Sequence, residues 1–135
     1  MRLHRLFLTA LILTIAISLF ASGAKDEQTA KASTYTRISA EEAKKIMDSE
    51  KDYIILDARS QGEYDSGHIP GAIVIPHTEV KSKAGTILKD KNQKILVYCR
   101  SGNRSKQASS ALVELGYTNV YEFGGINSWP YEIVK

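Results

Sequence analysis

The sequence predicts a single three-layer α/β domain, a parallel sheet of about four or five strands with helices on both faces. Three observations predict it. The runs "YIILD", "AIVIP" and "KILVYC" are short and apolar and do not alternate with polar residues. Strands buried on both faces read this way. Segments with helical signals lie between these runs, and that alternation belongs to parallel sheets rather than to hairpins. The chain has 135 residues, 43% hydrophobic and 24% charged, which is enough for one core and no second domain.

The first element is a targeting segment. Arg2 and Arg5 precede an apolar stretch from Leu6 to Phe20, and the small residues Ala21, Ser22, Gly23 and Ala24 follow. This is the basic, apolar and small-residue order of a secretory signal peptide cleaved near Gly23 or Ala24. The apolar stretch is shorter than the roughly 20 residues needed to span a bilayer. Residues 1–24 therefore read as a signal peptide, 25–36 as a flexible linker and 37–135 as the folded domain. The protein is expected in the periplasm or otherwise secreted, meeting a membrane only through an uncleaved signal segment. Removing residues 1–24 takes Arg2 and Arg5 and no acid, so the formal charge falls from +3 to +1. No basic stripe with interleaved aromatics appears, and no nucleic-acid partner is expected.

In the domain, Ser39 and Glu42 form a capping-box pattern, and Ala43, Ile46 and Met47 share one face of the helix that follows. "DYIILDARS" reads as a strand ending at Asp57. "SQGEYDSGHIPGA" is turn-rich, with a single helical turn around Gln61–Asp65. "AIVIP" is a strand stopped by Pro76, and "TEVKSKAGTILKDKNQ" a broken helix. "KILVYC" is the third apolar strand. "RSKQASSALVELG" is a helix with Ala108, Ala111, Leu112 and Leu115 inward and Gly116 at its end. "TNVYEF" is the last strand, and "GGINSWPYEIVK" closes the domain with a short helix around Trp129.

Cys99 is the only cysteine, so the chain can close no internal disulfide. It ends a strand, and Asp57 and Arg59 end another. Sites in open α/β sheets form beyond the carboxyl ends of strands, so a thiol, an acid and a base converge on one crevice. Residues 100–104, "RSGNR", then run directly into a helix start. Amides pointing outward there and the helix dipole favour an anion. Gly102 lets the loop wrap its amides around the sulfur as an anion nest. Arg100 and Arg104 add positive charge. All of these lower the thiol pKa, and no histidine is needed as a base. Tyr98 points to the other strand face and reads as packing. Four residues separate Cys99 from Arg104. Cysteine-based phosphatases place five between cysteine and arginine, and the shorter ring suits a single sulfur better than a phosphoryl group.

With "LDARSQGEYDSGHIPGA", "YCRSGNRS" and "GGINSW" in that order, the chain resembles a single-domain rhodanese, a thiosulfate or persulfide sulfurtransferase, from about Tyr35 to Lys135. The resemblance implies a rhodanese-like domain in which Cys99 takes a sulfane sulfur from a small sulfur-containing anion and passes it as a persulfide to a thiol or cyanide acceptor. It implies that Arg100, Ser101, Gly102, Asn103, Arg104 and Ser105 form the substrate-binding loop. Arg100 would face the incoming anion, and Arg104 would close the loop. Asp57 and Arg59 would brace it. His68, Pro70 and Gly71 are implied to shape a turn, and Trp129 to anchor the core. No cofactor and no metal is called for, and a monomer is expected. Two other readings stand beside this one. One is a sulfur-carrier or thiol-binding module serving a protein partner. The other is a small phosphatase or arsenate reductase on the same fold, which the loop length disfavours.

Overall fold

A computed structural model describes residues 34–135. The expected signal peptide lies outside the described residues, as does most of the expected linker. Among the described residues no helix is long and apolar enough to cross a membrane.

The elements follow in order: β1 (Thr36–Arg37), α1 (Ala40–Ser49), β2 (Tyr53–Asp57), α2 (Gln61–Ser66), β3 (Ile73–Val74), a 3-10 turn at His77–Glu79, α3 (Val80–Ile87), β4 (Lys94–Cys99), α4 (Asn103–Glu114), β5 (Val120–Gly125) and a 3-10 turn at Ile126–Ser128. Five strands form one sheet in the order β1-β5-β4-β2-β3, with every neighbouring pair parallel. β1 begins at Thr36, one residue inside the stretch read as a linker. Two residues have no periodicity to read, and the open edge of β5 extends them by pairing Thr36 with Tyr121.

Local chemistry accounts for the helix starts. The Ser39 hydroxyl accepts from the Glu42 amide at 3.0 Å, and the Glu42 carboxylate accepts from the Ser39 amide at 2.7 Å, a complete capping box. Ser60 caps α2 in the same way, accepting from the Glu63 amide at 3.3 Å. The single turn expected there is a six-residue helix. The short helix expected around Trp129 is the 3-10 turn just before it.

The core lies on both sides of the sheet, which explains the unbroken apolar strands. Ile95, Val97 and Cys99 of β4 face one cluster with Val80, Ala84, Ala108 and Leu112 of α3 and α4. Leu96 and Tyr98 face the other, with Ala43 of α1, Phe123 and Trp129. Each large side chain buried here contributes about 1.5–3 kcal/mol. Trp129 packs against Phe123 with ring centroids 5.5 Å apart, as a core anchor does. β2 and β4, adjacent at the centre of the sheet, end side by side, and that end carries Asp57, Arg59 and Cys99.

Candidate active site

The backbone shapes this site before any side chain does. β4 and β5 run in register from Ile95 to Val97. A bulge intervenes before Cys99, which then pairs with Gly125. The chain leaves Cys99 through Arg100 and Ser101 and reverses at Gly102, whose φ of 102° and ψ of −4° lie in the left-handed region. That reversal turns the Gly102 amide back onto the strand end, where it donates to Cys99 Sγ at 3.0 Å.

The loop is held from behind by "GGIN". The Asn127 amide donates to the Arg100 carbonyl at 3.1 Å. Gly125 lies so close that a Cβ there would sit 2.1 Å from the same carbonyl oxygen. These contacts fix the orientation of the peptide planes whose N–H groups face the sulfur.

Cys99 is 1% exposed, at the floor of the loop. Burial alone raises a thiol pKa. Here the Ser105 hydroxyl and the amides of Ser105, Gly102 and Ser101 outweigh it, and the thiol lies below its ordinary value. Ser105 Oγ is 3.3 Å from the sulfur. Iodoacetamide alkylation of Cys99 is therefore expected to show a midpoint below the free-thiol value of about 8.5. A midpoint at or above that value would contradict the amide nest.

The arginines divide their work. Arg104, on the first turn of α4, reaches back to α2 and grips Glu63 through two bonds, Nη1 to Oε1 at 2.7 Å and Nη2 to Oε2 at 2.9 Å. The guanidinium fork holds the Glu63 carboxyl down at about 2. Arg104 thus closes the loop by tying α4 to α2, with its charge shared by an acid. Its positive charge still acts on Cys99. Arg100 is exposed at the mouth. It lines an open depression of about 430 Å³ together with Arg59, Gly62, Glu63, Ser66, Ile126 and Asn127.

Asp57 and Arg59 form a buried pair at the end of β2. Arg59 Nη2 is 2.7 Å from Asp57 Oδ2 and also 2.7 Å from the Gly67 carbonyl. The Tyr98 hydroxyl donates to the same Asp57 oxygen at 2.7 Å and accepts from the Ile69 amide at 3.1 Å. Burial and the neighbouring Asp57 raise the Tyr98 pKa, which keeps it a donor. The pair thus fixes the segment that carries α2, and α2 in turn holds Arg104. Tyr98 faces away from Cys99, yet it does more than pack, because its hydroxyl ties the pair to the turn at Ile69. His68 stacks on Tyr64 at 3.8 Å, and its backbone pairs with Val134, both structural contacts. Ser101 and Asn103 are exposed on the loop and at the first residue of α4.

The geometry adds Glu122 to the residues read from the sequence and gives Glu63 its partner, Arg104. Glu122 is 1% exposed and accepts from the Ser105 hydroxyl at 2.7 Å. Its one signal in the sequence is an acid inside an otherwise apolar strand, "NVYEF".

Comparison with known proteins agrees with this architecture. The thiosulfate sulfurtransferase PspE of Escherichia coli is 44% identical over 80 residues, covering 59% of this chain and 77% of that one. A sulfurtransferase of Allochromatium vinosum is 35% identical over 88 residues, covering 64% and 79%. A solved structure described as rhodanese with anions from E. coli is 40% identical, with a TM-score of 0.58, and covers 62% of this chain and 98% of that one. Residues 39–131 match the family described as Rhodanese-like domain. The chain belongs to that family.

Proposed function

We propose that the protein is a sulfurtransferase that moves a sulfane sulfur from thiosulfate or a related anionic donor to a thiol or cyanide acceptor through a persulfide on Cys99. The observation that carries this reading is the cysteine sulfur held on the Gly102 amide at 3.0 Å, beneath a loop of inward amides that lowers its pKa. The relatives named as sulfurtransferases support it.

The Cys99 thiolate attacks the outer sulfur of the donor. A new S–S bond forms on Cys99 as the donor's S–S bond breaks, and the electron pair leaves with sulfite when the donor is thiosulfate. The amides of Ser101, Gly102 and Ser105 then face the persulfide anion and stabilise charge without reorganising. An acceptor thiolate or cyanide attacks the outer sulfur, and the electron pair of the broken bond returns to Cys99 as thiolate. Arg100 meets the incoming anion at the mouth, with Asn103 exposed beside it on the loop, while Arg104, Asp57 and Arg59 hold the loop in place. The test is turnover of thiosulfate and cyanide to thiocyanate beside hydrolysis of an aryl phosphate. Thiocyanate formation without phosphate release supports the reading. Efficient phosphate release would replace it with the phosphatase.

The Glu63–Arg104 fork bears on the donor. Among the described residues Arg100 has no ion-pair partner, whereas Arg104 is engaged by Glu63, so a dianion at the mouth meets Arg100 first. Glu63→Gln is expected to loosen Arg104 and lower the KM for thiosulfate several-fold, since a partly exposed ion pair is worth about 1 kcal/mol. An unchanged KM would show that Arg104 does not meet the donor. The amino-terminal pattern supports export with loss of residues 1–24, which sequencing of the mature amino terminus tests.

A further inference from the structure

Glu122 is a buried acid that the sulfur-transfer steps leave without a task. It lies on β5, behind the loop, at 1% exposure. Its Oε1 accepts from the Ser105 hydroxyl at 2.7 Å and from the Gly124 amide at 2.9 Å. Its Oε2 is 3.5 Å from Arg37 Nε of β1, a side chain 67% exposed. Ser105 Oγ, at the same time, is 3.3 Å from Cys99 Sγ. A hydroxyl has one hydrogen to donate. Two anionic acceptors, one on β5 and one on β4, therefore stand on either side of a single donor from α4.

We propose that Glu122 and Cys99 compete for the Ser105 hydroxyl hydrogen, which makes Glu122 a positioning residue for the reactive sulfur. This rests on the reading of Cys99 as the nucleophile. While Cys99 keeps its proton, the S–H points at Ser105 Oγ and Ser105 donates to Glu122. When Cys99 gives its proton to solvent, the Ser105 hydroxyl turns to the thiolate. Glu122 keeps the Gly124 amide and the Arg37 charge. No heavy atom needs to move, only the hydroxyl rotor. The carboxylate thus opposes formation of the thiolate in two ways: it holds the hydrogen the sulfur needs, and it sets a like charge one hydroxyl away. Of the other charged groups near the sulfur, Arg104 is paired with Glu63, Asp57 is paired with Arg59, and Arg100 is exposed at the mouth. Arg37 is too exposed to cancel the charge of Glu122. In this arrangement the amides favour the thiolate while Glu122 tempers it.

The test is the pH midpoint of iodoacetamide alkylation of Cys99, measured on the purified protein and three variants. Glu122→Gln keeps an acceptor for Ser105 and for the Gly124 amide but removes the charge. Its midpoint is expected to fall by on the order of one pH unit. Ser105→Ala removes the donor, and its midpoint is expected to rise. In the double variant Ser105→Ala/Glu122→Gln, the effect of the glutamine should shrink, because the shared hydroxyl is gone. A folded Glu122→Gln with the wild-type midpoint overturns the proposal, as does a glutamine effect of full size in the absence of Ser105. If Glu122→Gln does not fold, carbon-13 NMR of glutamate-labelled wild type decides. The Glu122 carboxyl resonance should step at the thiol midpoint and lose that step in Cys99→Ser. A resonance without the step overturns the proposal. Alkylation reads the sulfur without any sulfur donor, so a failure of the sulfur-transfer reading would appear separately, as absence of a persulfide.

Discussion

Replacing Cys99 by serine will abolish sulfur transfer and leave the fold unchanged. The site accepts the smaller atom without rearrangement. The Gly102 amide can donate to a hydroxyl oxygen as it does to the sulfur, and Ser105 stays within reach. The chemistry does not survive the change. An alcohol in the same nest stays protonated, and the nest cannot bring it near ionisation at neutral pH. A loss of about a thousandfold or more is expected, equivalent to about 4 kcal/mol of barrier. The checks are thiocyanate formation and the thermal unfolding midpoint of the same preparation. Cys99 is the only cysteine, so no second thiol can take over. Activity that survived in Cys99→Ser would remove the persulfide from the mechanism.

Gly125→Ala is expected to have the next largest effect, and it touches neither the sulfur nor the substrate. The φ of −133° and ψ of 157° at Gly125 are extended values that any residue adopts, so the backbone is not strained. The obstacle is space. A Cβ there would lie 2.1 Å from the Arg100 carbonyl oxygen, 2.4 Å from its carbon and 2.6 Å from the Ser101 nitrogen. All three are backbone atoms and cannot swing aside. Either β5 or the loop must move by more than an ångström. The bond from the Asn127 amide to Arg100 then breaks, and the loop amides lose their aim at Sγ. Overpacking of this kind costs about 1–3 kcal/mol of stability. The misdirected amides cost more in rate, about a hundredfold for one lost preorganised donor. The alkylation midpoint of Cys99 should rise in the same variant. Wild-type rates and a wild-type midpoint in Gly125→Ala would mean that the loop is not held from β5.

What the sequence made legible was local. Ser39 and Glu42 announce α1 because both partners of the capping box lie within one turn. "KILVYC" announces a central strand because both its faces are buried. Cys99, Gly102 and the helix start after "RSGNR" announce an anion nest because a strand end, a glycine and a helix start follow one another directly. What the sequence hid was long-range. Glu63 and Arg104 are 41 residues apart. Tyr98 and Asp57 are 41 residues apart as well, and they meet because β2 and β4 are neighbours. Spacing cannot reveal such pairs, since it does not give the strand order. The positive charge of Arg104 was legible, but not the acid that pairs with it. Glu122 was hidden differently. It sits in an apolar run, and its burial depends on β1 covering one side of β5 and the loop covering the end. The two-residue β1 carries no pattern of its own and exists through its pairing with β5.

The proposed reaction requires that Cys99 accept a sulfur atom. Intact-mass measurement of the purified protein after exposure to thiosulfate tests it most directly. The expected result is a gain of one sulfur atom on the wild type, located at Cys99 by peptide mapping, removed by cyanide and absent from Cys99→Ser. A wild-type mass unchanged by thiosulfate and by an organic persulfide alike, in protein whose thiol is shown to be free, would contradict it.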